Sequence, residues 1–295
     1  MRVTVTGGSG LIGTRLAALL RARGDEVTVL SRGGADGAPA WDPLAGPAPA
    51  AALEGRDAVI HLAGEPIAQR WNPAVREAIA ASRKTGTANL VATIEALGQK
   101  PRVLVSANAV GYYGHRGAEL LTEASAPGSG YLAEVCVAWE QAALRARELG
   151  LRVCVLRTGV VLDRHGGALA KMLPPFRLGV GGPVADGRQY VSWVALDDLV
   201  ALYVAALDDQ RYDGAFNATA PAPVTNAELS RALGRVLHRP ALAPVPAAAL
   251  KLLYGAMAEI VTDSQNAIPA RALAIGHSFE HPTLDAALAV ALGAG

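Results

Sequence analysis

The sequence predicts an α/β fold in which a doubly wound parallel sheet is followed by a smaller, mainly helical C-terminal region. Short apolar segments alternate with helical segments through the first two-thirds of the chain. A glycine-rich turn joins the first of these apolar segments to the first helix. After Thr225 the pattern is mainly helical and is interrupted by prolines. Together these observations favour one enlarged domain with a C-terminal cap.

The apolar segments predict strands at residues 3–6, 26–30, 58–62, 102–106 and 152–157, with helices near 11–23, 73–97 and 131–149. We expect residues 1–165 to form a nucleotide-binding domain whose sheet is completed by later strands around 190–217. Residues 166–295 then form a mixed region of substrate-side elements and C-terminal cap. Ligands of such sheets bind beyond the carboxyl ends of the strands, so residues at those ends are the candidates for function.

The turn after the first strand reads T-G-G-S-G-L-I-G from residue 6 to residue 13. In the Rossmann-type interpretation, Gly7 lets the chain turn sharply, Gly10 lets backbone approach a pyrophosphate, and Gly13 lets helix and strand pack closely. The helix starts at Leu11 and Ile12, and its unpaired N–H groups face the anion. The motif predicts a dinucleotide site, with a purely structural turn as the alternative.

The end of the second strand indicates which dinucleotide is bound. NAD-binding folds usually place an acidic residue there for the ribose 2′-hydroxyl, whereas this chain has Ser31 and Arg32. A hydroxyl followed by a guanidinium can hydrogen-bond and pair with a 2′-phosphate, which a carboxylate would repel. The sequence therefore favours NADP(H), the alternative being that Arg32 is a solvated loop residue.

Composition excludes several other classes of function. The 295 residues are 51% hydrophobic and carry a formal net charge of +1, which gives no electrostatic footprint for nucleic acid. No 18-residue apolar run is present, the first strand starts next to the N-terminus, and the two cysteines form no C-x-x-C pair. The histidines are scattered without metal-ligand spacing. We therefore expect a cytoplasmic protein that binds no metal, membrane or nucleic acid and acts on an unidentified small molecule. A homodimer is possible, and the sequence leaves the oligomeric state open.

Further motifs carry a resemblance to a known family. The glycine motif and H-L-A-G at 61–64 resemble the extended short-chain dehydrogenase/reductase superfamily. The segments S-A-N-A-V-G-Y-Y-G at 106–114, W-E at 139–140 and R-T-G-V-V-L at 157–162 are similar to an atypical branch of it, the NAD-dependent epimerase/dehydratase-like epimerase family, including its C-terminal domain of undefined function.

The resemblance implies roles for four further residues. Leu62 and Ala63 would line the adenine and ribose side of the cofactor, with strand-end packing as the alternative. Arg83 would reach the cofactor from the following helix, unless it is an exposed helix charge. Val160 would lie near the nicotinamide.

The sequence departs from the superfamily at its catalytic pair. The superfamily uses Tyr-x-x-x-Lys, in which the lysine lowers the pKa of the tyrosine and holds the ribose. No lysine stands four residues after any of the seven tyrosines, and alignment on Trp139 places Leu132 and Cys136 at the two positions. Tyr112 and Tyr113, which follow the fourth strand, are the candidate proton donors, with substrate contact or packing as the alternative. A reactive Cys136 is a weaker candidate than a buried one.

We expect the substrate pocket to form from irregular loops that carry Arg70, Trp71, Gln189 and Trp193. An arginine beside aromatic rings suggests a planar or anionic ligand. The alternative is that the tryptophans brace the cap and the arginine is solvated.

These observations predict an NADP(H)-dependent oxidoreductase or nucleotide-sugar-epimerase-like enzyme with an unknown substrate. The missing Tyr-x-x-x-Lys pair supports a rival hypothesis, a catalytically inactive sensor or regulatory protein that keeps the cofactor site. A structural role with an unknown partner is a third interpretation.

Overall fold

Six parallel strands form the central sheet of this computed structural model, which describes residues 1–34, 39–246, 248, 252 and 255–293. In chain order the strands are β1 (Arg2–Thr6), β2 (Glu26–Leu30), β3 (Ala58–His61), β4 (Val103–Ala109), β5 (Leu120–Leu121), β6 (Arg152–Thr158), β7 (Val160–Leu162), β8 (Tyr190–Val191), β9 (Trp193–Ala195), β10 (Gly214–Ala218), β11 (Val224–Thr225) and β12 (Asn266–Ala267). The central sheet has the order β10-β6-β4-β3-β1-β2.

The helices of the described residues flank this sheet or follow it. They are α1 (Leu11–Ala22), α2 (Pro73–Ala96), α3 (Tyr131–Leu144), α4 (Gly167–Arg177), α5 (Leu196–Asp208), α6 (Asn226–Leu237), α7 (Glu259–Thr262), α8 (Ala270–Ala274) and α9 (Leu284–Leu292). Short 3-10 turns lie at Ala50–Ala52, Val110–Tyr113, Arg145–Leu149 and Gly255–Ala258. None of the helices in the described ranges is long and apolar enough to cross a membrane.

The position of β1 between β3 and β2 creates the crevice of a doubly wound sheet. Thr6, the last residue of β1, is in register with Leu30 of β2 on one side and with His61 of β3 on the other. After β1 and after β3 the chain continues into helices on opposite faces of the sheet. The helices therefore diverge beyond the carboxyl ends of these strands, and ligands of doubly wound sheets bind in the space between them. The predicted doubly wound α/β fold is confirmed.

Apolar side chains cover both faces of the sheet because successive strand residues point to opposite sides. On one face, Val5 of β1 packs with Leu16 of α1 and Leu199 of α5. On the other face, Val59 of β3 packs with Leu90 of α2. The helices therefore hold the strand ends in fixed positions around the crevice.

Helix α2, which carries Arg83, has a well-defined start. Asn72 caps it by accepting a hydrogen bond from the N–H of Val75 at 2.8 Å, and Pro73 occupies the first helical position. Both features stabilise a helix N-terminus, because the cap satisfies a free N–H and proline lacks one. The cap thus fixes the point at which the helix that carries Arg83 begins.

The region after β6 is built from short strand pairs and a third apolar cluster. β7 pairs with β9, β8 with β11, and β12 with β5, while helices α4, α6 and α9 share an apolar core. Of the segment expected to complete the sheet, 190–217, only β10 joins the central sheet within the described residues. β8 and β9 instead lie beside the carboxyl ends of the main strands, through their pairing with β11 and β7.

Candidate cofactor and active site

The glycine turn leaves an open cradle at the start of α1. Gly7 has φ +70°, and a Cβ there would lie 2.8 Å from the backbone N of Ala63. A Cβ on Gly13 would lie 2.5 Å from the carbonyl oxygen of Gly7. Gly10 is exposed and no side chain caps the helix, so the first N–H groups of α1 remain available. A Cβ on Gly8 would lie 2.5 Å from Cγ1 of Val29. The turn therefore fits a pyrophosphate, with Gly7, Gly8 and Gly13 required by packing and Gly10 facing the open side.

The side chains at the end of β2 lie at the edge of the crevice. Ser31 is half-buried, and the side chain of Arg32 is 67% exposed. A long ion pair of 3.4 Å joins Arg32 to Glu65. Because an exposed pair at that distance is weak, the guanidinium can exchange this carboxylate for a ligand phosphate.

Leu62 and Ala63 follow β3 directly beside the turn. Leu62 is half-buried and Ala63 is buried. The N–H of Ala63 donates to the hydroxyl of Thr6 at 3.3 Å. Their backbone therefore forms one wall of the cradle, in contact with Gly7.

Arg83 points from α2 into this wall. Its guanidinium donates to the carbonyl oxygens of Glu65 at 3.0 Å and Ile79 at 3.3 Å. It lies 5.0 Å from the ring of Trp139, and a Cβ on Gly64 would be 3.4 Å from its Cζ. Burial lowers the pKa of Arg83 from its ordinary value. The side chain is thus a cation directed into the protein, which differs from the alternative of an exposed helix charge.

His61 is part of the scaffold beneath the cradle. The ring is fully buried, with Nδ1 2.7 Å from the hydroxyl of Thr6 and Nε2 3.0 Å from the hydroxyl of Thr87. Burial, together with the nearby charge of Arg83, lowers the pKa of His61 to about 4. The histidine is therefore neutral at physiological pH and holds strand and helix together.

Tyr113 occupies the interior of the protein, which differs from the expectation that it could donate a proton to substrate. Its ring is fully buried, and its hydroxyl lies 2.7 Å from Oδ1 of Asn217 and 3.0 Å from the carbonyl oxygen of Thr122. The same hydroxyl accepts a hydrogen bond from Arg157 at 3.0 Å. Burial raises the pKa of Tyr113. Its proton is committed to partners within the protein.

Tyr112 has a different environment from its neighbour. It is half-buried, and among the described residues no hydrogen bond engages its hydroxyl. The guanidinium of Arg157 lies 3.5 Å from the centre of the Tyr112 ring. The ring of Tyr113 meets it edge-on at 5.3 Å. Of the two tyrosines after β4, Tyr112 is the one with a free hydroxyl.

Cys136 lies under the turn that carries the tyrosines and is buried, as the favoured interpretation of this cysteine supposed. A Cβ on Gly111 would meet its Sγ at 3.6 Å. Burial raises the pKa of Cys136 to about 12, because the thiolate would be poorly solvated there. The thiol of Cys136 is thus buried and neutral.

Two of the expected substrate residues have internal partners instead. Gln189 is buried and donates to the carbonyl oxygens of Val184 at 3.2 Å and Val261 at 3.1 Å. Trp193 is fully buried, and its Nε1 donates to the carbonyl oxygen of Ala222 at 2.9 Å. Both side chains brace the protein from within, as the alternative interpretation of Trp193 supposed, because backbone carbonyl oxygens accept their hydrogen bonds.

The other two expected substrate residues lie in the loop before α2. Trp71 lines a cavity of about 430 Å³ together with Tyr131 and Arg76, and its ring meets that of Tyr131 edge-on at 5.4 Å. Arg70 is exposed and has no hydrogen bond or ion pair with the described residues. Val160, expected near the nicotinamide, is half-buried at the start of β7.

A second groove runs along the outer side of the glycine turn. It encloses about 740 Å³ and is lined by Gly10 and Leu11 of the turn, Gly166, and residues of α9. The C-terminal helix thus reaches the same turn that forms the cradle.

Comparison with known proteins gives the family. The sequence model of the NAD dependent epimerase/dehydratase family matches residues 3–218. The chain belongs to this family. A model of a domain of unknown function, DUF1731, matches residues 245–291 of this epimerase-family chain. The family predicted from the sequence motifs is confirmed.

Individual members of the epimerase family resemble the chain over nearly its whole length. The chloroplastic homologue of epimerase family protein SDR39U1 from Arabidopsis thaliana is 41% identical, with coverage of 98% of this chain and 86% of the relative. The crystal structure of human SDR39U1 isoform 2 with NADPH has a TM-score of 0.89 at 38% identity and covers 98% of both chains. A nucleoside-diphosphate sugar epimerase from Corynebacterium glutamicum has a TM-score of 0.82 at 37% identity and covers 100% of this chain and 58% of that one.

The residues that sequence reasoning missed are Glu140 and Arg157. Both stand in the motifs that carry the resemblance, but neither was given a role. In both cases a charged residue stands within an apolar sequence pattern. Arg157 follows the apolar run V-C-V-L of β6, and Glu140 follows Trp139 on the buried face of α3. Charged residues at such positions are buried only when paired, so the pattern could have indicated a partner.

Proposed function

We propose that this protein is an NADP(H)-dependent oxidoreductase of the atypical short-chain dehydrogenase type, acting on a carbonyl group of a small molecule. The observation that carries the proposal is the open cradle at α1 with the exposed guanidinium of Arg32 at the end of β2. The NADPH bound by human SDR39U1 supports this choice of cofactor.

The chain offers a separate group for each part of the cofactor. The free N–H groups at Leu11 and Ile12 suit the pyrophosphate, because the helix N-terminus carries partial positive charge. Ser31 and Arg32 suit the 2′-phosphate. Arg83 uses only Nη1 for its hydrogen bonds to the described residues, and its remaining N–H groups suit a ribose or phosphate oxygen at the wall beyond β3.

Tyr112 is the proposed proton donor, since its hydroxyl has no partner among the described residues. The bound cofactor supplies the hydride that the carbonyl carbon accepts. As that carbon is reduced, its oxygen takes the Tyr112 proton, an alcohol forms, and the phenolate regains a proton from water. In the reverse direction the phenolate accepts the proton from the alcohol.

Binding measurements test the cofactor assignment. Calorimetric titration should give tighter binding of NADPH than of NADH, and Arg32→Ala should weaken NADPH binding about 10-fold or more while changing NADH binding little, because only NADPH carries the 2′-phosphate. Arg188→Ala is the control, since Arg188 is 89% exposed and has only a weak pair with Asp186. Equal losses for both dinucleotides in Arg32→Ala would remove the assigned role.

Turnover measurements separate the enzyme from the rival hypothesis. The NADPH-bound protein is mixed with a panel of carbonyl compounds and a metabolite extract while cofactor absorbance is followed. Oxidation that drops about 100-fold or more in Tyr112→Phe supports the proposal, since general acids contribute at least that much.

A second candidate is an NADP(H) sensor, which is favoured by the buried Cys136 at the lysine position. Stoichiometric cofactor binding without turnover of any compound in the panel would favour the sensor.

A further inference from the structure

A buried ion pair lies directly behind Tyr112. Arg157, at the end of β6, donates through Nε and Nη2 to the two carboxylate oxygens of Glu140 on α3, at 2.9 Å and 2.8 Å. The two side chains are only 3% and 11% exposed. Asn108 of β4 donates to the same carboxylate at 3.3 Å. Both charges are therefore paired and held within the protein.

This arrangement fixes the plane of the guanidinium. A bidentate pair leaves the arginine fork little rotational freedom, and Nη1 is held by its hydrogen bond to the hydroxyl of Tyr113. Cζ of the guanidinium lies over the Tyr112 ring, 3.5 Å from its centre. The Tyr112 ring therefore packs against a guanidinium that cannot rotate, and the Tyr113 ring meets the Tyr112 ring edge-on. These two contacts limit the tilt of the Tyr112 ring, and the ion pair holds the guanidinium that makes one of them.

Stability alone gives little reason for such a pair. Removing two charges from water has a large desolvation cost, and apolar residues of similar volume often stabilise a protein equally well. What an ion pair adds is a fixed direction. Here that direction is transmitted to the one tyrosine after β4 with a free hydroxyl.

We propose that Arg157 and Glu140 are positioning residues that fix the ring plane of Tyr112 and so aim its hydroxyl at the substrate oxygen. The part concerning the substrate oxygen rests on the proposed function, whereas the fixing of the ring does not. Cys136 joins this network through its backbone, because Asn108, which donates to Glu140, also donates to the carbonyl oxygen of Cys136 at 3.0 Å.

The test is NMR of the full-length protein with ¹³C-labelled tyrosine rings. The Tyr112 signal is assigned by its loss in Tyr112→Phe. Glu140→Gln keeps the shape of the side chain but removes the charge that holds the fork, so the Tyr112 signal should shift toward that of a solvent-exposed tyrosine. The Tyr113 signal should also move, because its hydroxyl contacts Arg157.

Glu119→Gln is the matched control. Arg116 and Glu119 form a bidentate pair of the same chemistry, with distances of 2.8 Å and 2.6 Å, but at the surface. This variant should leave the Tyr112 signal unchanged. An unchanged Tyr112 signal in folded Glu140→Gln overturns the proposal. If Glu140→Gln does not fold, Arg157→Lys takes its place, because lysine keeps the charge but lacks the planar fork. An unchanged Tyr112 signal in Arg157→Lys then overturns the proposal.

Turnover supplies the second readout. On a carbonyl compound that the wild type reduces, Glu140→Gln should lower kcat about 10-fold or more with little change in KM, because a misdirected donor slows the chemical step. In a Tyr112→Phe background the same substitution should cause no further loss. If Glu140→Gln lowers kcat by the same factor in the Tyr112→Phe background as in the wild type, the two residues act independently and the proposal is overturned. If the wild type turns over no compound, the proposed function is contradicted. The NMR signal of the Tyr112 ring then decides by itself whether Arg157 and Glu140 fix that ring.

Discussion

Burial decides the charge of individual residues around the cradle. His61 and Thr6 bond each other between neighbouring strands, and the imidazole stays neutral because burial and the nearby charge of Arg83 disfavour its charged form. Cys136 is kept as a thiol by the same desolvation. Arg157 retains its charge because Glu140 balances it. The site thus contains fixed cations and neutral groups whose states follow from their surroundings.

The depressed pKa of His61 predicts a pH dependence of stability. Below its ordinary pKa of 6.5 the unfolded chain binds a proton that the folded ring, with a pKa of about 4, does not, so stability falls as pH falls through this window. From about pH 7.5 to about pH 5 the loss attributable to His61 is about 2 kcal/mol. Denaturant titrations at several pH values measure it.

The comparison for this prediction is His61→Gln, which should lose stability less steeply over the same pH range. His277, whose pKa is also lowered by burial, contributes equally to both proteins and cancels in the difference. His165→Gln is the control, because that ring is exposed. Parallel pH profiles for wild type and His61→Gln would contradict the assigned cause.

At the scale of elements, the turn between β1 and α1 combines two requirements in one short segment. Gly7 and Gly13 are needed so that the turn, the helix and the end of β3 can touch. Gly10 has φ −79° and faces the open side, so its lack of a side chain serves the ligand and not the fold.

This difference predicts opposite effects of two alanine substitutions. Gly13→Ala should destabilise the protein by about 2 kcal/mol or more, because its Cβ would lie 2.5 Å from the carbonyl oxygen of Gly7. Gly10→Ala should change stability by no more than about 0.5 kcal/mol, since its Cβ has only the oxygen of Gly7 nearby, at 3.4 Å.

Gly10→Ala should nevertheless bind NADPH at least about 10-fold more weakly, because its methyl group projects to the side from which a pyrophosphate approaches. Thermal unfolding and calorimetric NADPH titration of both variants provide the measurements. A stable Gly10→Ala protein with undiminished NADPH affinity would contradict the position assigned to the pyrophosphate.

At the scale of the whole molecule, polar contacts attach the C-terminal region to helix α5 and to the segment between β8 and β9. The buried carboxylate of Asp198, in the first turn of α5, accepts the N–H groups of Glu280 at 2.7 Å and His281 at 3.1 Å. Ser192 accepts the N–H of Ala267 at 2.8 Å. Helix α9, which belongs to the region matched by DUF1731, lines the groove beside the glycine turn. The C-terminal region therefore lies next to the cradle.

Asp198→Asn should loosen this attachment. The amide cannot accept both N–H groups as strongly as a carboxylate does, so we expect a loss of about 1–3 kcal/mol and faster amide hydrogen exchange across 280–292. Asp197→Asn is the matched control in the same helical turn, because Asp197 forms only an exposed pair with Arg15. Equal exchange in the two variants would show that Asp198 does not hold the segment.

Much of the fold and part of the site follow from local sequence. The strands from β1 to β6 that were predicted lie within a few residues of their observed positions, because each is a short apolar run bounded by turns. β4 continues to Ala109, beyond the predicted end at residue 106, and α3 gives way to a 3-10 turn after Leu144. The glycine turn was recognisable because its geometry is contained within eight consecutive residues.

What sequence reasoning lacked was the environment of each polar side chain. Tyr112 and Tyr113 are adjacent in sequence, yet one hydroxyl is engaged with Asn217, which is far along the chain, and the other is free. Gln189 and Trp193 resembled pocket residues, but their partners in later loops bury them. Such pairings join distant segments and leave no local pattern.

The sequence by itself determined the doubly wound sheet and the dinucleotide cradle, because these depend on short-range periodicity and on glycines at fixed spacing. It also indicated the family, through motifs that resemble those of known members. Only the tertiary structure decided which tyrosine has a free hydroxyl, that Arg83 faces inward, and that Arg157 and Glu140 meet behind Tyr112. The physical reason is that burial and pairing depend on which segments pack together, and packing brings together residues whose separation along the chain is arbitrary.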